Sequence, residues 1–147
     1  MKQPKERRLH PLYIVVFLYI GFIFYHSLMS GDASGSLSAQ IAETVLSMLE
    51  KIGLHFNFDA FHHFIRKLAH FSEYFVLALL VYQAAKKKPL FSTVLITLII
   101  FGITVPLLDE TIQLFTPGRV GALKDCLIDM SGYGTAALLS ALCQRRT

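Results

Sequence analysis

Residues 90–119 read "LFSTVLITLIIFGITVPLLDETIQLFTPGR", an apolar run that ends in two adjacent acids, a glutamine and an arginine. The run itself, residues 90–108, carries no charged side chain and no periodic polar face. At a rise of about 1.5 Å per residue, a helix of this length crosses a hydrocarbon layer about 30 Å thick. A buried helix of a soluble protein would show polar residues at helical spacing, so this run predicts a membrane span.

Three other segments have similar length and character, at about residues 11–29, 68–85 and 125–143. The chain has 147 residues, of which 54% are hydrophobic and only 16% are charged. That length suits a single domain, and that composition is too apolar for a typical soluble protein. The sequence therefore predicts one all-α domain, a polytopic membrane protein built as a bundle of four transmembrane helices in the lipid bilayer.

The basic residues predict how this bundle is oriented. They cluster before the first span, between the second and third spans, and after the fourth: Lys2, Lys5, Arg7 and Arg8; Lys86, Lys87 and Lys88; Arg145 and Arg146. Four alternating helices place all three clusters on one side, so the positive-inside rule predicts that both termini are cytoplasmic. Because these short clusters account for the net charge of +4, no nucleic-acid partner is predicted.

The first span and the polar segment behind it, residues 30–67, leave two points open. A basic start, an apolar core and the small residues of "SGDASGS" (residues 30–36) also suit a cleaved signal peptide, although the aromatic residues of the run favour a retained span. The glycine and serine content of residues 30–36 predicts a loop. Apolar residues at helical spacing over residues 37–53 predict an amphipathic helix outside the membrane, packed mainly against the spans.

Ionisable residues within the predicted spans occur at one depth, near the outer face. An ionisable group at membrane depth costs several kcal/mol unless it faces protein or water and finds a partner. We therefore expect these side chains to face one another in a polar pocket that opens outward. The ionisable residues at this depth are His26, His70, Glu73, Asp109, Glu110, Lys124, Asp125 and Asp129, and Ser27 and Ser30 close the outer end of the first span.

Spacing along the chain supports the same pocket. Arg66, His70 and Glu73 share one face if the second helix extends back far enough. The Pro-Gly turn before Arg119 can bring that guanidinium back over the carboxylates. On the fourth span, the face of Asp129 continues through Gly132, a small residue that allows another helix to approach closely.

Three motifs, "RKLAHFSEY", "DETIQLFTPGR" and "DCLIDMSGYG", resemble the VanZ-like family of small bacterial membrane proteins. The resemblance covers residues 66–134 and departs from the family at Asp129, where many members carry asparagine. The family's namesake is associated with resistance to the glycopeptide antibiotic teicoplanin. The resemblance thus implies a protein of the bacterial plasma membrane that acts in cell-envelope biology, and it supplies no reaction. The motif positions are Arg66, Lys67, His70, Phe71, Glu73, Tyr74, Asp109, Glu110, Gln113, Phe115, Arg119, Asp125, Asp129 and Gly132.

The favoured function is binding of an amphiphilic envelope molecule, such as a lipid-linked wall precursor or an acylated glycopeptide. Its anionic groups would contact Arg66, Lys67 and Arg119, and its apolar part would contact Phe71, Tyr74 and Phe115. The full predicted ligand-binding set is Arg66, Lys67, His70, Glu73, Tyr74, Asp109, Glu110, Gln113, Phe115, Arg119, Asp125 and Asp129.

Three alternatives remain. An outer-leaflet enzyme could use His70 with Glu73, or Glu110 with Asp125, as acid and base on a lipid headgroup. A transporter also uses intramembrane acids, but the inner halves of the spans offer no continuing polar chain. Pairing of His70 with Glu73 and of Arg119 with Asp125 could instead serve only to hold the bundle together. Six carboxylate or imidazole groups could also hold a divalent metal, but no familiar zinc or two-metal spacing is present, so neither a metal nor a cofactor is predicted.

Overall fold

The computed structural model describes residues 9–119 and 121–144, which form five α-helices and no strand. The all-α prediction is confirmed. The basic residues at the two ends of the chain lie outside the described residues, so the structure does not test their part in the orientation. The helices are α1 (Leu12–Leu28), α2 (Gly31–Glu50), α3 (Phe58–Lys87), α4 (Val94–Leu114) and α5 (Leu123–Gln144).

Two helices in the described part of the chain, α4 and α5, are long and apolar enough to cross a membrane. A third span is added if α1 and α2, which meet at a bend of 103°, count as one broken span. The structure therefore supports two or three spans, and the bundle of four spans stays a prediction.

The central helix of the fold is α3, which packs against each of the other four helices and most extensively against α5. Close approach to α5 is possible because a Cβ atom at Gly132 would lie only 2.2 Å from the carbonyl oxygen of Phe71. The close packing predicted at Gly132 is thus confirmed. The core around α3 is apolar and includes Tyr13, Val16, Ile23, Tyr74, Leu77, Val81, Phe101 and Tyr133.

The predicted loop at residues 30–36 is wrong, because α2 already begins at Gly31. The Ser30 hydroxyl accepts a hydrogen bond from the backbone N–H of Ala33, and Asp32 lies in the first turn. A serine cap and an early acid both stabilise a helix start, and here they outweigh the low helix propensity of the two glycines. As a result α2 follows α1 after only two residues, Met29 and Ser30.

Two helix boundaries also differ from the predicted spans. Helix α3 begins at Phe58, well before residue 68, because the Asn57 side chain caps it by accepting from Ala60. Helix α4 continues past residue 108 to Leu114, so the two acids and Gln113 lie in its last turns. The extension of α3 places Arg66, His70 and Glu73 on one continuous helix, which the sequence argument had required.

Candidate functional site

Four ionisable residues from three helices meet in the interior. One ligand atom from each lies within 4.8 Å of the others. Asp109 and Asp129 are 1% and 0% exposed, and Glu110 is 8% exposed. We call this set the acid cluster; its members are His70 of α3, Asp109 and Glu110 of α4, and Asp129 of α5.

Hydrogen bonds hold each member of the acid cluster in place. His70 Nδ1 lies 3.2 Å from Asp129 Oδ1. The Asp109 carboxylate accepts from Gln113 Nε2 at 3.1 Å and also from the Ser27 hydroxyl. Glu110 Oε2 accepts from the backbone N–H of Ala122 at 2.8 Å. These bonds connect the ends of α1, α4 and α5 to one polar centre.

Not every polar atom of this centre is satisfied. Asp129 Oδ2 and Glu110 Oε1 are buried and have no hydrogen-bond partner among the described residues. The buried hydroxyl of Tyr74 likewise has no hydrogen-bond partner among the described residues. Because a buried polar group without a partner costs about 1–3 kcal/mol, two such carboxylate oxygens in one cluster require an explanation.

A partly open cavity of about 210 Å³ lies beside the acid cluster, between the end of α1, α2, α3 and the turn after α4. His70 belongs to both, since it also lines the cavity. The apolar part of the wall comes from Leu37 and Ile41 of α2 and Ile65 of α3. The charged and titratable part comes from His26, Arg66, His70, Glu73 and Arg119.

The two arginines of the wall are not paired with carboxylates. Arg119 donates to the backbone carbonyl oxygens of His26 and Met29, at 2.8 and 3.2 Å, and weakly to Gln113 Oε1 at 3.5 Å. Arg66 makes no hydrogen bond or ion pair to any described residue. Burial lowers the pKa of the Arg119 guanidinium, and repulsion from Arg66 lowers it further. Arginine nevertheless stays charged at neutral pH, so the cavity holds two positive groups.

Arg119 forms no ion pair with a carboxylate, although Asp109, Glu73 and Glu110 attract its guanidinium through space. The two ion pairs considered as a purely structural alternative are not formed. Glu73 pairs with His26, at 2.9 Å, instead of with His70. Asp125 pairs with Lys67 instead of with Arg119. The acid–base pairs suggested for an enzyme, His70 with Glu73 and Glu110 with Asp125, are not formed either.

The structure also changes the expected apolar contacts. Phe115 is 83% exposed and does not line the cavity. Tyr74 is fully buried in the core, and Phe71 stacks on Phe75 with ring centroids 6.2 Å apart. The apolar wall comes instead from Leu37 and Ile41 of α2 and from Ile65 of α3, and the amphipathic pattern of α2 was the available signal.

The end of α1, which the sequence places at the same depth, is absent from the predicted ligand-binding set. His26, Ser27 and Met29 supply a titratable side chain, a hydroxyl and a backbone carbonyl at the site. Among the predicted site residues, Arg66, His70, Glu73 and Arg119 line the cavity, and Lys67 and Asp125 form a pair beside it. Asp109, Glu110, Gln113 and Asp129 lie behind it in the interior.

Within the described residues, helices apolar and long enough for two or three membrane spans indicate a small helical membrane protein. The chain matches the VanZ/LLP1 family over residues 12–144, nearly its whole length. It therefore belongs to this family, and the resemblance seen in its motifs is confirmed. Neither the curated proteins nor the solved structures contain a significant match to the chain.

Proposed function

We propose that the cavity binds the anionic headgroup of an amphiphilic envelope molecule, in support of cell-envelope homeostasis or glycopeptide resistance. The observation that carries this proposal is the pair of guanidiniums, Arg66 and Arg119, that face one cavity without a carboxylate partner. Planar guanidiniums bind phosphate and carboxylate groups in two places, and a partly buried site strengthens each contact.

The shape of the cavity supports a headgroup as the ligand. Pockets for drug-sized molecules measure roughly 300–1,000 Å³, and this cavity measures about 210 Å³. That volume favours the head of a lipid or a lipid-linked wall precursor over a whole glycopeptide such as teicoplanin. The apolar side chains of Leu37, Ile41 and Ile65 would contact the first part of the tail.

To test the proposal, we expect Arg66→Gln to weaken binding of a short-chain isoprenyl phosphate in detergent by about 10-fold, measured by isothermal titration calorimetry. Loss of one charge-assisted hydrogen bond, about 1.5–3 kcal/mol, corresponds to that factor or more. The matched control is Lys124→Gln, which removes the same charge from an exposed position of α5. Equal binding by both variants, or equal binding of the uncharged isoprenyl alcohol, would contradict the proposal.

The proposal includes an orientation: four spans in the bacterial plasma membrane, both termini cytoplasmic, and the cavity open to the outside. With the two native cysteines replaced, we expect a membrane-impermeant maleimide to label Ser36→Cys in intact cells and to label Lys87→Cys only after lysis. Both positions are exposed, so the difference reports the side of the membrane rather than burial. Labelling of Lys87→Cys in intact cells would refute the orientation.

One observation favours a second function, a lipid-headgroup enzyme of the outer leaflet. His26 Nδ1 lies 2.9 Å from Glu73 Oε1, and both residues line the cavity. A histidine oriented by a carboxylate is a common general base. An enzyme predicts a changed lipid, visible by mass spectrometry in cells that express the protein and absent in His26→Gln, with the exposed His63→Gln as control. Identical lipid profiles in all three strains would exclude it.

A further inference from the structure

We propose that the acid cluster is a binding site for one divalent cation, held by His70, Asp109, Glu110 and Asp129. This site lies behind the cavity and does not depend on the proposed amphiphile. The geometry supports one ion, because ligand atoms of four residues come within 4.8 Å of one another. Metal–ligand distances of about 2.0–2.6 Å put opposed ligands about 4–5 Å apart, so one ion fits among these atoms.

The charge of the cluster supports the same inference. Three carboxylates at this separation repel one another, and in the interior that repulsion is poorly screened. Lys67 pairs with Asp125, and Arg119 donates to backbone carbonyls and Gln113 and attracts Asp109 and Glu110 only through space. Among the described residues only His70 pairs directly with a carboxylate of the cluster. The cluster therefore needs either bound protons or a bound cation.

The unpartnered oxygens point to the cation. Asp129 Oδ2 belongs to a fully buried residue, Glu110 Oε1 to one that is 8% exposed, and neither has a hydrogen-bond partner among the described residues. A proton would leave each protonated carboxyl needing an acceptor of its own. A metal ion coordinates both oxygens at once. The second oxygen of each carboxylate, Asp129 Oδ1 and Glu110 Oε2, keeps its bond to His70 or to the Ala122 amide.

The ligand set also suggests which ion binds. When His70 donates through Nδ1 to Asp129, Nε2 keeps a lone pair for a metal, and the carboxylate orients the ring. Carboxylates favour Mg²⁺, Ca²⁺ and Mn²⁺, whereas imidazole favours Zn²⁺ and related ions. Mn²⁺ accepts both ligand types, so a set of one imidazole and three carboxylates suits it best. No familiar metal-binding spacing signals the site in the sequence, because its ligands come from three helices.

We expect the purified full-length protein, stripped with a chelator in detergent, to bind one Mn²⁺ per chain in an electron paramagnetic resonance titration. Glu110→Gln and Asp129→Asn should each weaken binding by more than about 10-fold, since even loss of a ligand's supporting partner costs 10–100-fold. The matched controls, Glu43→Gln and Asp59→Asn, make the same changes at exposed positions and should leave the affinity unchanged.

A second readout protects the test against variants that misfold. Pulsed electron paramagnetic resonance on the wild type should show coupling of one imidazole nitrogen to bound Mn²⁺. His70→Gln should lose this coupling and keep the helical signal in its circular dichroism spectrum. Absence of stoichiometric binding of Mn²⁺ and Zn²⁺ to the wild type would overturn the site and assign protons to the cluster. Binding unchanged in both Glu110→Gln and Asp129→Asn would overturn it too. Neither result bears on headgroup binding, which the Arg66→Gln titration tests separately.

Discussion

Gly132→Ala is expected to destabilise the packing of α3 on α5 by about 2 kcal/mol or more, and Gly134→Ala, two residues later, is expected to have no such effect. An added Cβ at Gly132 would meet the Phe71 carbonyl oxygen at 2.2 Å, so the two backbones must separate. Overpacking of this kind costs about 1–3 kcal/mol, and backbone atoms cannot rotate out of the way. At Gly134 nothing lies within 4 Å, so an added methyl group is accommodated.

The buried thiol of Cys126 on α5 supplies the measurement. In a Cys143→Ser background, the rate at which a thiol reagent modifies Cys126 in mild detergent reports how readily the packing around α5 opens. We expect Gly132→Ala to react more than 10-fold faster than the parent protein, a factor that corresponds to about 1.4 kcal/mol. Gly134→Ala should react at the parent rate, and equal acceleration by both alanines would show that the interface does not rest on Gly132.

Arg119→Ala is expected to lower the free energy of unfolding by about 2–4 kcal/mol, because each hydrogen bond to a charged group contributes about 1.5–3 kcal/mol and this site is only partly buried. The side chain joins the turn after α4 to the end of α1 through the carbonyls of His26 and Met29. The same junction includes Thr116, whose hydroxyl donates to Ser27 O at 3.0 Å. Removal of the guanidinium therefore loosens one wall of the cavity.

Arg66→Ala is the matched control for this prediction. It also removes a guanidinium from the cavity, but Arg66 makes no hydrogen bond or ion pair to the described residues. The free energy of unfolding, measured by denaturant titration, should therefore change by less than about 0.5 kcal/mol. Arg119→Lys should recover only part of the loss, because an ammonium cannot reproduce the fork that reaches two carbonyls. Equal destabilisation by Arg66→Ala and Arg119→Ala would contradict the structural role assigned to Arg119.

The helical positions of the site residues were largely predictable from the sequence. Arg66, His70 and Glu73 are spaced by four and three, and such spacing places residues on one face of any regular helix. The close packing at Gly132 followed from its small size on the face that continues from Asp129. The start of α2 was mispredicted, since local glycine content suggested a loop while the capping bond of Ser30 stabilised a helix.

Partner choice within the site was not predictable in the same way. Attraction between opposite charges does not select a particular partner, so the sequence alone allowed Glu73 to pair with His70 and Asp125 to pair with Arg119. The rotation of α1 about its own axis brings His26 to Glu73, and the position of α5 beside α3 brings Lys67 to Asp125. These pairs then leave the two wall arginines without carboxylates.

By itself, the sequence determined that the chain is helical, that it is apolar enough for a membrane, and that it belongs to a family marked by three motifs. Those features follow from local spacing and composition, which act along one helix at a time. The tertiary structure alone decided that a cavity with two unpaired guanidiniums lies in front of a buried set of one imidazole and three carboxylates. The reason is that such a site depends on the mutual rotation and depth of several helices, and these are set by packing contacts between residues far apart in the chain.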